Sequence, residues 1–478
     1  MTYGQCMNLF PQPHIMELKG GKLRITKEFR IVVRPNASDI ENIAANELSK
    51  FIKCPVIIGT PEANSIYLGI KVNAAQPEGY ILDVKSDRVS ILGNDPSGIF
   101  YGAETLQQII ENKGFNIPLL HIEDWPDLKY RGLYIEDKWG PDLMSLDEWK
   151  ELIDVMASLK LNFMGIGIYG CWGIQYDNEI LEFLMVPFKS HPELKTPKKI
   201  SFYSPTRTAD ITISYLPPMF VKDFLRELIA YGKNKNVIIR PQFNSLGHNT
   251  LIPRLHPEIS AKDESGHPTG YGFCLSSPLT YEILFSLYDE IIDKYLKPNC
   301  IDFFHIGMDE IYPCIGRDLE HPKREIDPWC KCPECKGKPR EELLLSYFFK
   351  IIEHLVSRGI NNISIWNDQL KRMGLLEKFS SQLETKGLKE KVIIEWWHYG
   401  PHPFKSIKPE LGLRRWVNPM TGYFFWTTYK SYLKNIQLML DLGYAQGVEG
   451  IECYGVYDPA FHRNYLYLSD YAWNKSAG

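Results

Sequence analysis

The chain lacks any apolar run of the roughly 18 or more residues that a membrane-spanning helix needs. It also lacks an excess of charge of either sign: 54 basic against 58 acidic residues leave a formal net charge of −4, which excludes the basic footprint of a nucleic-acid or anionic-membrane binder. The opening stretch, MTYGQCMNLFPQPHIMELKGG, has neither a basic n-region nor a continuous apolar h-region, so it does not read as a signal peptide and a cytoplasmic location is expected. A disulfide framework is missing too. The 10 cysteines are unevenly spread, and three crowd together as Cys330, Cys332 and Cys335, so reduced thiols are expected. What the chain has in quantity is aromatic surface, with 11 Trp, 27 Tyr and 23 Phe to build cores and to stack on flat apolar faces such as those of sugar rings.

With 478 residues there is material for two or three domains. Residues 1–124 mix short β-rich runs (Leu23 to Ile25, Ile31 to Val33, Ser65 to Ile70) with helix candidates at Ile40 to Ile52 and Ser97 to Ile110. EGYILDV and VSILGND read as a hairpin, and HIEDWPDLKY, with Pro126 and clustered acids, as a linker. This part reads as a small α+β domain. From residue 125 to 478 the rhythm becomes strand, loop, helix, repeated. Strand candidates are Arg131 to Ile135, Asn162 to Tyr169, Val237 to Phe243, Ile301 to Ile306, Ile363 to Trp366, Val392 to Trp397, Gly422 to Trp426 and Gly450 to Tyr454. Eight such repeats predict a (β/α)8 TIM barrel, whose functional groups sit on the loops that follow the strands.

The run Ile301 to Glu310 is the focus. A buried strand ends there in two adjacent carboxylates, Asp309 and Glu310. Neighbours on a regular strand point to opposite faces, so a side-by-side acid pair suits a strand end at a barrel mouth better than a strand interior. The other strand ends add Asn244 and His248, then Trp366, Asn367 and Asp368, then Trp396 and Trp397, then Tyr423 and Tyr454. An acid pair ringed by aromatics has the composition of a carbohydrate pocket.

At these residues the chain resembles the β-N-acetylhexosaminidases of glycoside hydrolase family 20. HIGMDE, His305 to Glu310, is similar to the family's His-x-Gly-Gly-Asp-Glu, and RGLYIE, PQFNSLGHN, CLSSPLTYE, WND and EWW follow in the family's order; LFPQPHIMELKGG and GIFYGAETLQQII resemble its accessory domain. The resemblance implies an exo-acting hydrolase of terminal β-linked GlcNAc or GalNAc. In its substrate-assisted retaining mechanism the sugar's 2-acetamido oxygen attacks the anomeric carbon, Glu310 is acid and base, and Asp309 orients the acetamido group. It further implies that Arg131 grips sugar hydroxyls, that Trp366 with Trp396 or Trp397 cages the acetamido methyl, that Tyr423 holds the acetamido oxygen, and that His248 and His305 support the acid pair. Tyr454 stands where the family tends to have Trp. The expected partner is an oligosaccharide with a terminal 2-acetamido sugar, with no nucleic acid, no membrane and self-association left open.

Four departures bear on the reading. Met308 replaces a usual Gly and Asn244 a usual Asp, GYFFWTTY has no Asp after its tyrosine, and ECYGVYDP has no Glu two residues after Tyr454. They keep a substituted amino sugar, or a sugar-binding descendant without turnover, as alternatives. An enzyme nucleophile would need another carboxylate about 5 Å from Glu310, for which adjacent Asp309 is badly placed. Separately, Cys314, Cys330, Cys332 and Cys335 could offer four thiolates to one structural zinc in the loop 311–338; catalysis itself is expected to need no cofactor.

Overall fold

The computed structural model describes residues 7–71, 76–136, 140–170, 183–313, 326–422, 432–455 and 462–477. Residues up to Asp124 form a seven-stranded mixed sheet in the order Ile15–Arg24, Asn116–Asp124, Tyr80–Val84, Val89–Gly93, Ser65–Ile70, Arg30–Val33, Val56–Ile58. The hairpin is present, with Tyr80 opposite Gly93 and Val84 opposite Val89. Helix Asp39–Ile52 starts at a capping box: Ser38 and Glu41 each take the other's backbone N–H, and the helix then turns Ala44, Ala45, Leu48 and Ile52 inward. Helix Pro96–Lys113 starts with Asp95 as its cap and Pro96 in the first turn, and buries Ile99, Leu106, Ile109 and Ile110. One boundary shifts. His121–Asp124, expected in the linker, complete the strand Asn116–Asp124, because Leu120 and Ile122 alternate into the core before Pro126 ends the run.

Eight parallel strands then close into a barrel: Tyr130–Ile135, Phe163–Tyr169, Ile238–Phe243, Phe303–His305, Asn362–Trp366, Val392–Trp397, Arg414–Asn418 and Gly450–Gly455, the last pairing back to the first. Seven were anticipated near their observed bounds. The seventh was not: Gly422 to Trp426 gives way to RRWVN, and residues 423–426 lie outside the described residues. Two leading arginines disguise this strand. Arg414 turns to the rim, where it pairs with Glu449 at 2.9 Å, while Trp416 and Asn418 enter the barrel.

Strand alternation fills the barrel in layers. The lower layer is apolar, from Tyr130, Phe163, Phe303, Ile393 and Trp416. Above it lies a charged layer: fully buried Arg240 pairs with Glu395 and, at 2.5 Å, with Glu452, and donates to Ser364 at 2.7 Å. Gly165 leaves room for it, since a Cβ there would come within 2.3 Å of a Glu452 oxygen. The upper layer, at the strands' C-terminal ends, is Tyr134, Trp366, Met420 and Tyr454, with Trp397 and Tyr399 packed against it.

Arg131 points out of the barrel at the opposite end. Its guanidinium donates to the carbonyls of Lys160, Leu128 and Lys129, pairs with Glu78 at 2.8 Å, and stacks over Trp473 at 5.0 Å. Beside it, buried Asp124 accepts from Lys160 (2.9 Å), Tyr80 (2.7 Å) and Trp473 (2.8 Å), and lies 3.2 Å from His14. This polar knot binds the N-terminal sheet to the barrel.

Candidate active site

The backbone after the fourth strand brings the two carboxylates to one side. Gly307, Met308 and Glu310 have φ of +70°, +75° and +49°, so the chain leaves strand geometry and coils at the mouth. Gly307 is required by contact as well as by angle: a Cβ would sit 2.2 Å from Asn244 Oδ1. Met308 occupies a conformation that favours glycine, and is held by complete burial and a Ser245 hydroxyl 3.6 Å from its sulfur. Asn244 ties the coil together, accepting from the Met308 N–H at 3.1 Å and donating to Asp309 Oδ1 at 2.9 Å. An aspartate there could not make the second bond, which gives the substitution of the usual Asp a local reason.

His248 sits between the acids, with Nε2 3.2 Å from Asp309 and 3.1 Å from Glu310. Burial opposes a charge on this imidazole, but the two carboxylates outweigh it and raise its pKa well above the ordinary value. Burial likewise works against ionised Asp309, yet the charge and hydrogen bond of His248, with the Asn244 amide, hold it below the usual carboxylate range. Tyr312 donates to Glu310 Oε1 at 2.6 Å. A third carboxylate joins them: Asp368 accepts the Glu310 N–H at 2.9 Å and the Trp397 indole N–H at 3.2 Å. Burial first, and the Asp309 charge second, push its pKa up to about 7.

Asp309, Glu310, His248 and Asn244 face a cavity of about 200 Å³, walled by Tyr134, Trp366, Trp397, Tyr399, Met420 and Tyr454. Gln242 and Glu136 also reach it, and Tyr454 donates to Glu136. Of the residues anticipated from the sequence, Asp309, Glu310, His248, Trp366, Trp397 and Tyr454 come together here. His305 lies directly beneath, its ring 4.4 Å from Trp366. Its Nδ1 accepts the Gly307 N–H at 2.8 Å, and burial holds the ring's pKa down to about 3, so it is a neutral prop for the coil.

Arg131 does not belong to this group. It stands at the N-terminal end of its strand and faces outward, whereas the mouth is reached by Tyr134 of the same strand and by Glu136 just after it. Trp396 is also excluded: alternation turns it outward, buried edge-on against Phe404 at 5.1 Å, and leaves Trp397 in the cavity. Tyr423 and Cys314 lie outside the described residues. Glu136 and Tyr399 were missed as cavity residues, although Glu136 directly follows the first strand and the rule that found the other strand ends points to it.

Coiled carboxylates under an aromatic wall at the C-terminal mouth of a (β/α)8 barrel have the composition of a carbohydrate pocket. Residues 128–412 match the family model for the glycosyl hydrolase family 20 catalytic domain, and residues 6–125 the model for domain 2 of the same family. The chain belongs to glycosyl hydrolase family 20. It is 24% identical over 399 residues to a beta-hexosaminidase of Porphyromonas gingivalis, covering 77% of this chain and 46% of that protein. It is 20% identical over 362 residues to a lacto-N-biosidase of Bifidobacterium bifidum, covering 74% of this chain and 27% of the other. The chain thus spans about half the length of the first relative and about a quarter of the second. The solved beta-N-acetylhexosaminidase of Bacteroides fragilis superposes with a TM-score of 0.70 at 18% identity, covering 98% of this chain and 91% of that one. An exo beta-N-acetylglucosaminidase of Vibrio harveyi, in complex with N-acetylglucosamine, does so at 0.69 and 16% identity over 97% of this chain and 73% of its own. At these identities the likeness shows the fold.

Proposed function

We propose that this chain is an exo-acting β-N-acetylhexosaminidase working by substrate assistance. The observation that carries the reading is the coil at Gly307 to Glu310, which turns two adjacent carboxylates into one small aromatic cavity with a shared histidine. The sugar's acetamido carbonyl oxygen bonds to the anomeric carbon as the glycosidic bond breaks. Glu310 gives a proton to the departing oxygen, and an oxazolinium forms. Asp309, held ionised, accepts a hydrogen bond from the acetamido N–H as that nitrogen gains positive character. Water then adds to the anomeric carbon, giving its proton to Glu310, and the acetamido group is restored with retention. Trp366 and Trp397 are placed to enclose the acetamido group. Glu136 and Gln242 are the further polar groups of the cavity lining that ring hydroxyls would meet.

The test is release of 4-nitrophenol from its β-GlcNAc, β-GalNAc and β-glucoside derivatives. The expected result is turnover of an acetamido sugar and none of the glucoside, with Asp309→Ala and Glu310→Ala each lowering kcat by about 10²-fold or more. Glucoside turnover at a comparable rate would sink the substrate-assisted step. Binding of GlcNAc without turnover of any substrate would instead identify a sugar-binding protein.

A further inference from the structure

Four cysteines converge outside the cavity. Cys330, Cys332 and Cys335 lie in the segment that leads into helix Arg340–Ser357, and Cys274 lies between strand Pro268–Phe273 and helix Pro278–Ile291. All four thiols are free, and their sulfurs lie within 4.8 Å of one another. Cys274 Sγ is 3.6 Å from Cys332 Sγ and 3.8 Å from Cys335 Sγ. Four sulfurs at about 2.3 Å from one zinc ion form a tetrahedron with edges of about 3.8 Å, whereas a disulfide would bring one pair to about 2.05 Å. The surroundings are those of a thiolate site. The Lys262 N–H points at Cys330 Sγ at 3.3 Å, the Ser276 hydroxyl is 3.3 Å from Cys335 Sγ, and the turn closed by the Cys335 and Lys336 N–H groups on the Cys332 carbonyl is a compact knuckle. Lysines 331, 336 and 338 neighbour the three clustered cysteines in the chain and offset part of the charge of a four-thiolate site.

We propose that Cys274, Cys330, Cys332 and Cys335 bind one structural zinc ion, with Cys274 as the fourth ligand in place of the anticipated Cys314. The ion cross-links the two sides of the loop region behind the acid pair. Its consequence reaches the cavity along a short path. Gly272 packs so closely on this loop that a Cβ would meet the Pro328 carbonyl at 2.4 Å; Tyr271 donates to the Tyr312 carbonyl at 3.3 Å; and the Tyr312 hydroxyl holds Glu310. The zinc therefore acts as a positioning clamp with no part in bond breaking.

The experiment measures metal content in untagged protein by mass spectrometry, together with zinc released by a mercurial reagent in the presence of a chromogenic chelator. About one zinc per chain is expected, lost in Cys274→Ser and retained in Cys314→Ser and Cys300→Ser. Cobalt(II) exchanged into the wild type should give the intense visible bands of tetrahedral thiolate coordination, a readout that stands even if Cys274→Ser does not fold. Folded wild type that neither contains zinc nor takes it up would overturn the proposal. So would iron as the resident metal, weak octahedral cobalt bands, or loss of zinc in Cys314→Ser with retention in Cys274→Ser.

Discussion

His248 carries the electrostatics of the cavity. As a buried cation between Asp309 and Glu310 it neutralises part of an acid cluster that also includes Asp368, and it is the main partner holding Asp309 in its ionised form. Replacing it with alanine removes that partner, so the Asp309 pKa rises. Activity that depends on ionised Asp309 is then lost at a higher pH on the acid side. The expected outcome for His248→Ala is a fall in kcat/KM of roughly 10²-fold, with the acid limb of the pH profile displaced upward. A fall without displacement would show that the imidazole only fills space. Met308 shows how far one residue can be read. Its place in HIGMDE was visible in the sequence, but its positive φ and complete burial belong to the folded coil.

Among the elements, the barrel strands make a prediction through their charged layer. Burial, with the neighbouring Glu395, raises the Glu452 pKa well above the carboxylate range, while Arg240 holds Glu395 down to about 2 against the cost of burial. Burial and Glu395 draw Glu452 toward its neutral form and leave Arg240 with Glu395 as the principal ion pair of the layer. Glu452→Gln, which keeps an acceptor for Arg240, is expected to cost no more than about 1 kcal/mol. Arg240→Met leaves the Glu395 carboxylate buried without its partner and is expected to cost about 3–5 kcal/mol. Urea unfolding midpoints of the two variants test the asymmetry, and equal losses would contradict it. Most strands were legible because they are short apolar runs between turn signals. RRWVN was not, since its inward alternation is masked by arginines that only the assembled rim accommodates.

For the whole molecule, the knot joining the N-terminal sheet to the barrel sets a pH dependence of stability. Burial opposes charge on His14, but hydrogen bonds to Asp124 and Asp127 raise its pKa from 6.5 to about 9. A folded-state pKa above the unfolded one means that the stabilisation is complete below about pH 6.5 and is lost as the pH rises through about 9. Asp124 works the other way. Despite burial, Lys160 and its hydrogen bonds lower its pKa from 3.8 to about 2, so its contribution is present above 3.8 and is lost as the pH falls through 2. The free energy of unfolding, read from urea melts at each pH, should decline between pH 6.5 and 9, and His14→Gln should reduce that decline by about 1–2 kcal/mol after allowance for solvent screening. An unchanged slope in the variant would remove His14 as its origin.

The order of apolar runs and turn signals was enough to specify an α+β unit followed by a (β/α)8 barrel, because periodicity and chain order are local properties. It was also enough to single out Asp309 and Glu310, because two adjacent acids at the end of a buried strand are out of place unless the chain turns there. Tertiary structure alone decided which long-range partners meet. Arg131 went to the domain junction because its position on the strand sets its height in the barrel. Trp397 was chosen over Trp396 by which face of the sixth strand the barrel closes on, and Cys274 joined a thiol cluster formed far downstream because strand and loop pack at Gly272. Spacing along a chain constrains near neighbours only; contacts between distant segments follow from closure of the barrel.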